Sequence, residues 1–131
     1  MRMGVVCGSF HKDEVSRMLG FAIDEAESKK WDVAETVWVP GSMEAPLALD
    51  RLLQREDIHG AIVLGIIEKG QTEHGMVMGQ SVTKAVIDLQ IKHGKPIGLG
   101  IIGPGAEPEH IEPRLEPHAR AAVGAVASMV E

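Results

Sequence analysis

The stretch Ala61-Ile-Val-Leu-Gly-Ile-Ile-Glu-Lys-Gly-Gln-Thr-Glu-His74 decides the fold, because it joins a strand to a helix through a short loop. Its first part is a continuously apolar run, which is typical of a parallel strand that is covered on both faces. Gly70 and Thr72 then supply a turn residue and a helix cap. The segment therefore predicts one strand–loop–helix unit of an α/β protein.

Three further units of the same kind complete the chain. The strands are expected as short runs of branched or apolar residues, at about residues 4–7, 35–39, 61–65 and 97–102. The helices are expected at about residues 13–30, 44–54 and 72–93, with a fourth beginning after Pro113 or Pro117. Strict alternation of strands and helices predicts a parallel sheet between two helical layers. The expected fold class is α/β: one domain over residues 1–131, forming a three-layer α/β/α sandwich with a four-stranded parallel sheet, doubly wound and flavodoxin-like.

Length and composition limit the classes of protein that the chain can represent. Its 131 residues suit a single domain, and 44% of them are hydrophobic and 24% charged. No apolar run approaches the roughly 20 residues of a membrane span. No signal peptide is expected, because strand-like sequence follows directly after Met1. The single cysteine, Cys7, excludes an intramolecular disulfide and favours a cytoplasmic location. A net charge of −6, with two Phe, two Trp and no Tyr, argues against a nucleic-acid partner.

Unusual sequence follows each of the four predicted strands. In open parallel sheets, ligands bind at the carboxyl ends of the strands. The loops at these ends are residues 8–11, 40–44, 69–74 and 103–105. We expect them to form one composite pocket on a single rim of the sheet.

His74 is the main candidate for acid–base chemistry, because a histidine side chain exchanges protons near neutral pH. The backbone N–H groups of Gly70, Gln71 and Thr72 lie where a helix begins, which is a favourable place for a phosphate. Each has a plainer interpretation. His74 can be a surface histidine that helps to cap the helix, and Gly70 and Thr72 can be turn and cap residues only. The residues by themselves leave both interpretations open.

Phe10, Glu44 and Arg114 are further candidates with two interpretations each. Phe10 lies beyond the first strand, beside Ser9 and His11, so it is either a core residue or an aromatic that stacks on a ligand. Glu44 either favours the start of a helix, as any acidic residue does, or belongs to a binding site. Arg114 is either a solvated surface cation or a guanidinium that binds a phosphate.

Neither a metal site nor a reactive thiol is expected. Cys7 lies inside the first strand, where a small core residue is the natural interpretation. The histidines other than His74 show no ligand spacing with cysteine or carboxylates: His11, His59, His93, His110 and His118.

Two other doubly wound classes are excluded by particular residues. A phosphoacceptor receiver domain needs an aspartate after the third strand and an acidic pair after the first, where this chain has Ile66 and Gly8-Ser9. A flavodoxin needs a phosphate loop rich in serine and threonine after the first strand, and Ser9-Phe-His-Lys-Asp13 is not such a loop.

The chain resembles the 6,7-dimethyl-8-ribityllumazine synthase family of riboflavin biosynthesis over about residues 5–130. The residues that carry this resemblance are Ser9-Phe10, Val39-Pro-Gly-Ser-Met-Glu-Ala-Pro46 and the segment from Gly65 to His74. The segment Gly100-Ile-Ile-Gly-Pro-Gly105 resembles archaeal-type members more than bacterial ones.

The resemblance implies a condensation of two small molecules without any cofactor or metal. The amine of 5-amino-6-(D-ribitylamino)uracil would condense with the carbonyl of 3,4-dihydroxy-2-butanone 4-phosphate. Phosphate and water would leave, and ring closure would give 6,7-dimethyl-8-ribityllumazine. The implied enzyme is therefore a transferase.

The resemblance also implies which positions would bind the pyrimidine substrate. Phe10 would stack on its ring, and Glu44 would hold a hydroxyl of its ribityl chain. The positions expected to contact it mainly through the backbone are Ser42, Met43, Ile66, Ile67 and Glu68.

The remaining implied roles concern the phosphate, proton transfer and a second subunit. Gln71 and Thr72 would hold the phosphate with help from Arg114, and His74 would transfer protons. Members of this family place the pocket between subunits of a pentameric ring, so Leu99 and Arg114 would come from a neighbouring chain. Some members assemble twelve pentamers into a hollow shell of 60 chains, so a homo-oligomer is expected here.

The chain departs from the family pattern at several positions. His11 replaces an asparagine common in the family, Gly75 replaces an aromatic residue, and Leu99 replaces a second stacking phenylalanine of bacterial members. The segment Glu116-Pro-His-Ala-Arg120 replaces a stretch that contains lysine and asparagine in bacterial members.

Rival functions remain within the same fold. An archaeal-type riboflavin synthase would use two lumazine molecules, but it lacks the Gly-x-Thr-x-His arrangement present from Gly70 to His74. Two non-enzymatic functions also remain open, namely a flavin or lumazine carrier without catalysis and a protein selected for shell assembly.

Overall fold

The computed structural model describes residues 1–130, in which strands and helices alternate along the chain. The strands are β1 (Arg2–Gly8), β2 (Asp32–Val39), β3 (Gly60–Glu68) and β4 (Ile97–Ala106). The α-helices are α1 (Lys12–Ser28), α2 (Ala45–Leu53), α3 (His74–His93), α4 (Pro108–Ile111) and α5 (Leu115–Met129). Two short 3₁₀ helices, Ser42–Glu44 and Glu112–Arg114, lead into α2 and α5.

All strands are parallel and lie in the order β2-β1-β3-β4. Residues of β3 alternate between the two faces of the sheet. Ile62, Leu64 and Ile66 pack with the core cluster on the side of α1 and α5. Val63 and Ile67 pack with the cluster on the side of α2 and α3. The predicted α/β/α fold with a four-stranded parallel sheet is therefore confirmed.

Strand β3, which lies between β1 and β4, is longer than predicted and is buried up to the rim of the sheet. Every residue from Gly60 to Ile67 is buried, and only Glu68 at its end is exposed. Within residues 1–130, all side chains buried in the core are apolar. Chemistry is consequently confined to the surface and to the ends of the strands.

The strand β4 is the main correction to the predicted elements. The sequence pattern predicts an end at Ile102, but the strand continues through Gly103, Pro104 and Gly105 to Ala106. Ile66 pairs with Ile102 and Glu68 with Ala106, so four steps along β4 face two steps along β3. This irregularity accommodates a proline because β4 is an edge strand, where a missing backbone donor is tolerated.

The helices match the prediction within a few residues at most ends. Helix α3 begins at His74 rather than Thr72, and α5 begins soon after Pro113, with Pro117 in its first turn. The short helix α4 is an element that the sequence pattern does not predict. No helix in residues 1–130 combines the length and hydropathy that crossing a membrane requires.

Candidate active site

A cavity of about 420 Å³ lies at the carboxyl ends of the strands. Its walls come from the loop after β1, the segment 40–44 after β2, and the end of β3 with the loop and first turns of α3. The composite pocket expected from the sequence therefore exists, but it is built from three of the four loops. The segment 103–105 does not line it.

The start of α3 explains why the segment 103–105 is excluded. His74 and Gly75 face the main cavity, whereas Glu73 and Met76 line a different cavity together with Gly105. The first turn of the helix therefore lies between two adjoining cavities, which share Lys69 and Thr72. Three of the four loops thus line the main cavity as expected, whereas the segment 103–105 contributes Gly105 to the adjoining one.

Most of the residues singled out from the sequence line the main cavity. These are Phe10, Ser42, Met43, Glu44, Ile66, Ile67, Glu68, Thr72 and His74. Gln71, Leu99 and Arg114 do not line it. Leu99 is a 41% exposed residue of the edge strand β4. Arg114 borders a separate cavity of about 160 Å³ and donates a hydrogen bond of 3.0 Å to the carbonyl of His110.

Phe10 is a wall residue of the cavity and not part of the core. It follows shortly after β1, and 62% of its surface is exposed. Its ring stands edge-on to the ring of His11, with 5.1 Å between the centroids. The interpretation of Phe10 as a core residue is therefore wrong, and an exposed aromatic at a cavity wall is available for stacking.

The start of α3 presents backbone donors beside a histidine. Gly70 has a φ of 62°, a left-handed conformation that glycine adopts without strain. The Thr72 hydroxyl accepts a hydrogen bond of 3.2 Å from the backbone N–H of His74, the first residue of the helix. Thr72 therefore caps the helix from one position before the N-cap residue, Glu73. The other N–H groups of a first helical turn have no partner within their helix, which favours an anion there.

The His74 side chain is exposed at the cavity. It makes no hydrogen bond or ion pair with another side chain of residues 1–130. Its own backbone is already capped by Thr72, so the imidazole is not needed for capping. The geometry therefore leaves both ring nitrogens available to a ligand.

Glu44 also lines the cavity, and its carboxylate makes no hydrogen bond or ion pair within residues 1–130. It ends the 3₁₀ helix and is the N-cap residue of α2, but its side chain makes no capping hydrogen bond. Its position at the start of α2 agrees with the plainer interpretation, in which the negative charge favours the helix dipole without a hydrogen bond. The carboxylate remains available to accept hydrogen bonds from hydroxyl groups.

The floor of the cavity consists of core residues. Ile66 and Ile67 are 4% and 2% exposed, yet both border the cavity. The apolar floor excludes water from one side of any ligand, while the polar groups stand around the rim.

Gly75 and Lys69 line the cavity in addition to the residues expected there. A Cβ atom at Gly75 would lie 2.6 Å from the carbonyl oxygen of Glu68. The first turn of α3 therefore packs directly on the end of β3, and no aromatic side chain fits at this position in this backbone. The signal that could have identified Lys69 is its charge, next to the glycine of the predicted phosphate loop. Its ammonium lies 3.4 Å from the Glu107 carboxylate.

Cys7 and the acidic end of β4 contribute no obvious chemistry. Burial raises the pKa of the Cys7 thiol to about 12, so the thiol stays protonated and behaves as a core residue. Ligand-type atoms of Glu107, Glu109 and His110 lie within 4.8 Å of one another in the described residues. Two of these residues form the capping box of α4, in which His110 accepts a 3.0 Å hydrogen bond from the Glu107 backbone. Helix capping accounts for their proximity.

Fold and pocket together define a class: small α/β enzymes that bind ligands at the carboxyl edge of a parallel sheet. Comparison with known proteins narrows that class. The family described as 6,7-dimethyl-8-ribityllumazine synthase matches residues 1–131. The chain belongs to this family, and the resemblance inferred from the sequence is confirmed.

Individual relatives agree with this assignment. A 6,7-dimethyl-8-ribityllumazine synthase of Staphylothermus marinus is 40% identical over 129 residues, which cover 98% of this chain and 86% of the relative. The protein of the same description from Metallosphaera sedula is 38% identical over 129 residues, covering 98% and 85%. That of Methanopyrus kandleri is 38% identical over 130 residues, covering 99% and 92%.

Proposed function

We propose that this chain condenses 5-amino-6-(D-ribitylamino)uracil with 3,4-dihydroxy-2-butanone 4-phosphate to give 6,7-dimethyl-8-ribityllumazine, phosphate and water. It is a transferase of riboflavin biosynthesis, as its family membership over the whole chain indicates. One observation about the site carries the proposal further. A single cavity brings together an exposed aromatic ring, an unpaired carboxylate and a helix start with an adjacent histidine.

The pyrimidine substrate binds at the wall made by Phe10 and the segment 40–44. Phe10 offers a free ring face to a flat heterocycle, which is the geometry of aromatic stacking. The backbone of Ser42 and Met43, together with the end of β3, contacts the edge of the pyrimidine. Glu44 accepts a hydrogen bond from a ribityl hydroxyl, since no group in the described part of the chain occupies its carboxylate.

The butanone phosphate binds at the start of α3. The N–H groups of this turn and the positive end of the helix dipole stabilise the phosphate dianion, both when it is bound and when it leaves. Thr72 lines the cavity at this site, and the neighbouring Gln71, which does not line it, adds its backbone N–H to the phosphate. Arg114 of a neighbouring chain completes it, because a guanidinium binds phosphate oxygens in a two-pronged geometry.

His74 transfers protons between the two bound reactants. Condensation of an amine with a carbonyl releases water, and elimination of phosphate removes a proton from carbon, so both steps need an acid–base group close by. His74 is the first residue of α3, next to the phosphate subsite, and its imidazole is unpaired in the described residues. Holding the two reactants in register contributes roughly 7 to 11 kcal/mol in favourable cases, so much of the rate arises from orientation.

The complete site is shared between chains of a homopentameric ring, which in turn can assemble into a shell of 60 chains. Leu99 and Arg114 lie outside the cavity of their own chain, which supports their action on a neighbour. Exposed apolar side chains that a subunit contact would cover include Leu47, Met76, Val77, Ile87 and Ile91. The cytoplasmic location expected from the single cysteine stays a prediction.

The test is an assay of the purified chain with both substrates, monitored by the absorbance of the lumazine product. Formation of lumazine only when both substrates are present supports the proposal. Conversion of lumazine alone would support a riboflavin synthase instead, and binding without turnover would support a carrier. A native mass measurement on the same sample decides between a pentamer, a larger shell and a single chain.

A further inference from the structure

His11 lies directly behind the wall of the cavity, next to Phe10 and at the start of α1. It is the N-cap residue of α1 and has a left-handed backbone, with φ 64° and ψ 49°. Histidine and asparagine are among the side chains that adopt this conformation more readily than most. The backbone conformation is therefore one that a histidine can adopt, but it does not explain the contacts of the imidazole.

The imidazole of His11 contacts two residues of the cavity while it does not line the cavity itself. Its Nε2 atom lies 3.0 Å from Oε1 of Glu68, at the end of β3. The alignment is not that of a hydrogen bond, so the contact is an ion pair formed when the ring is protonated. Its ring also meets the Phe10 ring edge-on, with 5.1 Å between the centroids.

These contacts link two walls that are far apart in the chain. Phe10 is 62% exposed, so most of its surface makes no packing contact that would fix the orientation of its ring. Glu68 is the last residue of β3, and 46% of its side chain is exposed. The His11 side chain is 23% exposed and Nε2 itself is buried, so the imidazole is the better-fixed member of the group.

We propose that His11 is a positioning residue for the pyrimidine subsite. It holds the Phe10 ring and the Glu68 end of β3 in the arrangement that binds the heterocycle, and it takes no part in proton transfer. The inference rests on the proposed function, because it assigns the pyrimidine to this wall. It predicts an effect on substrate affinity with little effect on the chemical step.

His11→Asn is the informative variant. Asparagine keeps the left-handed backbone, but its shorter side chain does not reach Glu68 or present an aromatic edge to Phe10. We expect the dissociation constant and the KM for the pyrimidine to rise about 2- to 10-fold, as for the loss of one aromatic contact, with kcat within about twofold of wild type. The variant His11→Gln, whose longer side-chain amide can donate a hydrogen bond to Glu68, should bind the pyrimidine more tightly than His11→Asn.

His59→Asn serves as the matched control, because His59 precedes the amino end of β3, where its Nδ1 accepts a hydrogen bond from the backbone of Arg2. It should leave pyrimidine affinity unchanged. Glu68→Gln provides a second route to the same contact if His11→Asn folds poorly, and it should also raise the dissociation constant. In the double variant the effect of His11→Asn should be smaller than in the wild-type background.

Direct pyrimidine binding, measured without the second substrate, separates this inference from the proposed function. Wild type that binds the pyrimidine, together with folded His11→Asn and Glu68→Gln variants of unchanged affinity, would overturn only the role of His11. So would a loss of kcat at unchanged KM. Wild type that binds no pyrimidine would overturn the proposed function and this inference together.

Discussion

The two ends of helix α3 each carry a histidine, and the two histidines have opposite surroundings. His93, in the last turn, has a side chain that is 12% exposed and lies 2.8 Å from the Asp50 carboxylate of α2. Lys92 and Gln54 also donate to Asp50, at 3.1 and 2.7 Å. His74, in the first turn, is exposed at the cavity and has no side-chain partner among residues 1–130.

This difference separates stability from function along one helix. The last turn, around His93, is the closed end of α3: its polar side chains form hydrogen bonds with Asp50. The basic residues there also complement the helix dipole. The first turn, around His74, is the open end of α3: its backbone N–H groups and its imidazole have few partners within residues 1–130, so they remain available to a ligand. A substitution at the open end should therefore change catalytic activity, and a substitution at the closed end should change the free energy of unfolding.

The largest expected effect is that of His74→Ala at the open end. Turnover with both substrates saturating should fall about 10- to 10⁴-fold, the usual contribution of a positioned acid–base group. The free energy of unfolding should change by less than about 0.5 kcal/mol, because the imidazole is exposed. Steady-state kinetics and urea unfolding measure the two quantities. Wild-type turnover would remove His74 from the mechanism.

Arg114→Ala tests whether the phosphate site beside His74 includes an arginine from a neighbouring chain. The butanone phosphate should bind more weakly by roughly 1.5 to 3 kcal/mol, the value of a charged hydrogen bond. Rings co-assembled from Arg114→Ala and His74→Ala chains should regain activity, because some pockets would pair an intact Arg114 with an intact His74. Mixed rings no more active than the average of their parents would show that each chain works alone.

Phe10→Ala should weaken binding of the pyrimidine about 5- to 150-fold, the cost of losing a stacked aromatic at roughly 1 to 3 kcal/mol. Because Phe10 is exposed, the variant should fold and unfold like wild type. Calorimetric titration of the pyrimidine measures the effect. Unchanged affinity in the folded variant would show that Phe10 does not stack on the pyrimidine.

At the closed end, His93→Ala should lower the free energy of unfolding by about 1 to 3 kcal/mol and leave kcat unchanged. The cost arises because Asp50 loses its histidine partner while it remains only 20% exposed. Urea unfolding together with kinetics below the denaturation range provides the check. A loss of activity without a loss of stability would contradict the division between the two ends.

The smallest expected effect is a dependence on acid pH at the closed end. Hydrogen bonds from His93 and Lys92 lower the pKa of Asp50 to about 2, below its ordinary value of 3.8. A lowered pKa in the folded state means that the stabilisation is fully present above about pH 4 and is lost as pH falls towards 2. Between about pH 4 and pH 2, wild type should therefore lose more stability than Asp50→Asn. Equal losses in the two proteins would show that Asp50 does not contribute.

The parts of the structure that depend on local pattern were predictable from the sequence. The apolar run of β3 and the helical spacing of α1 and α5 identify their elements, because burial imposes a period on the residues. The extension of β4 past Ile102 was not predictable in this way. Glycine and proline ordinarily end a strand, and only its position at the edge of the sheet allows it to continue.

The candidate site was predictable to the extent that its residues share one segment or one strand end. Thr72 and His74 lie in a single loop and helix start, so their proximity follows from their spacing. The contact between His11 and Glu68 joins residues that are far apart in the sequence, so no local sequence pattern predicts it. Leu99 and Arg114 lie outside the cavity of their own chain, so their expected role depends on a neighbour that one sequence does not describe.

The floor of the cavity has a consequence for how such a protein can be redesigned. Ile66 and Ile67 belong to the two opposite core clusters and also border the cavity. Enlarging the cavity from below would remove packing from the sheet, at a typical cost of about 2 to 5 kcal/mol for truncating an isoleucine to alanine. New substrate preferences are therefore easier to obtain from the exposed side chains of the segment 40–44, which can vary without weakening the core.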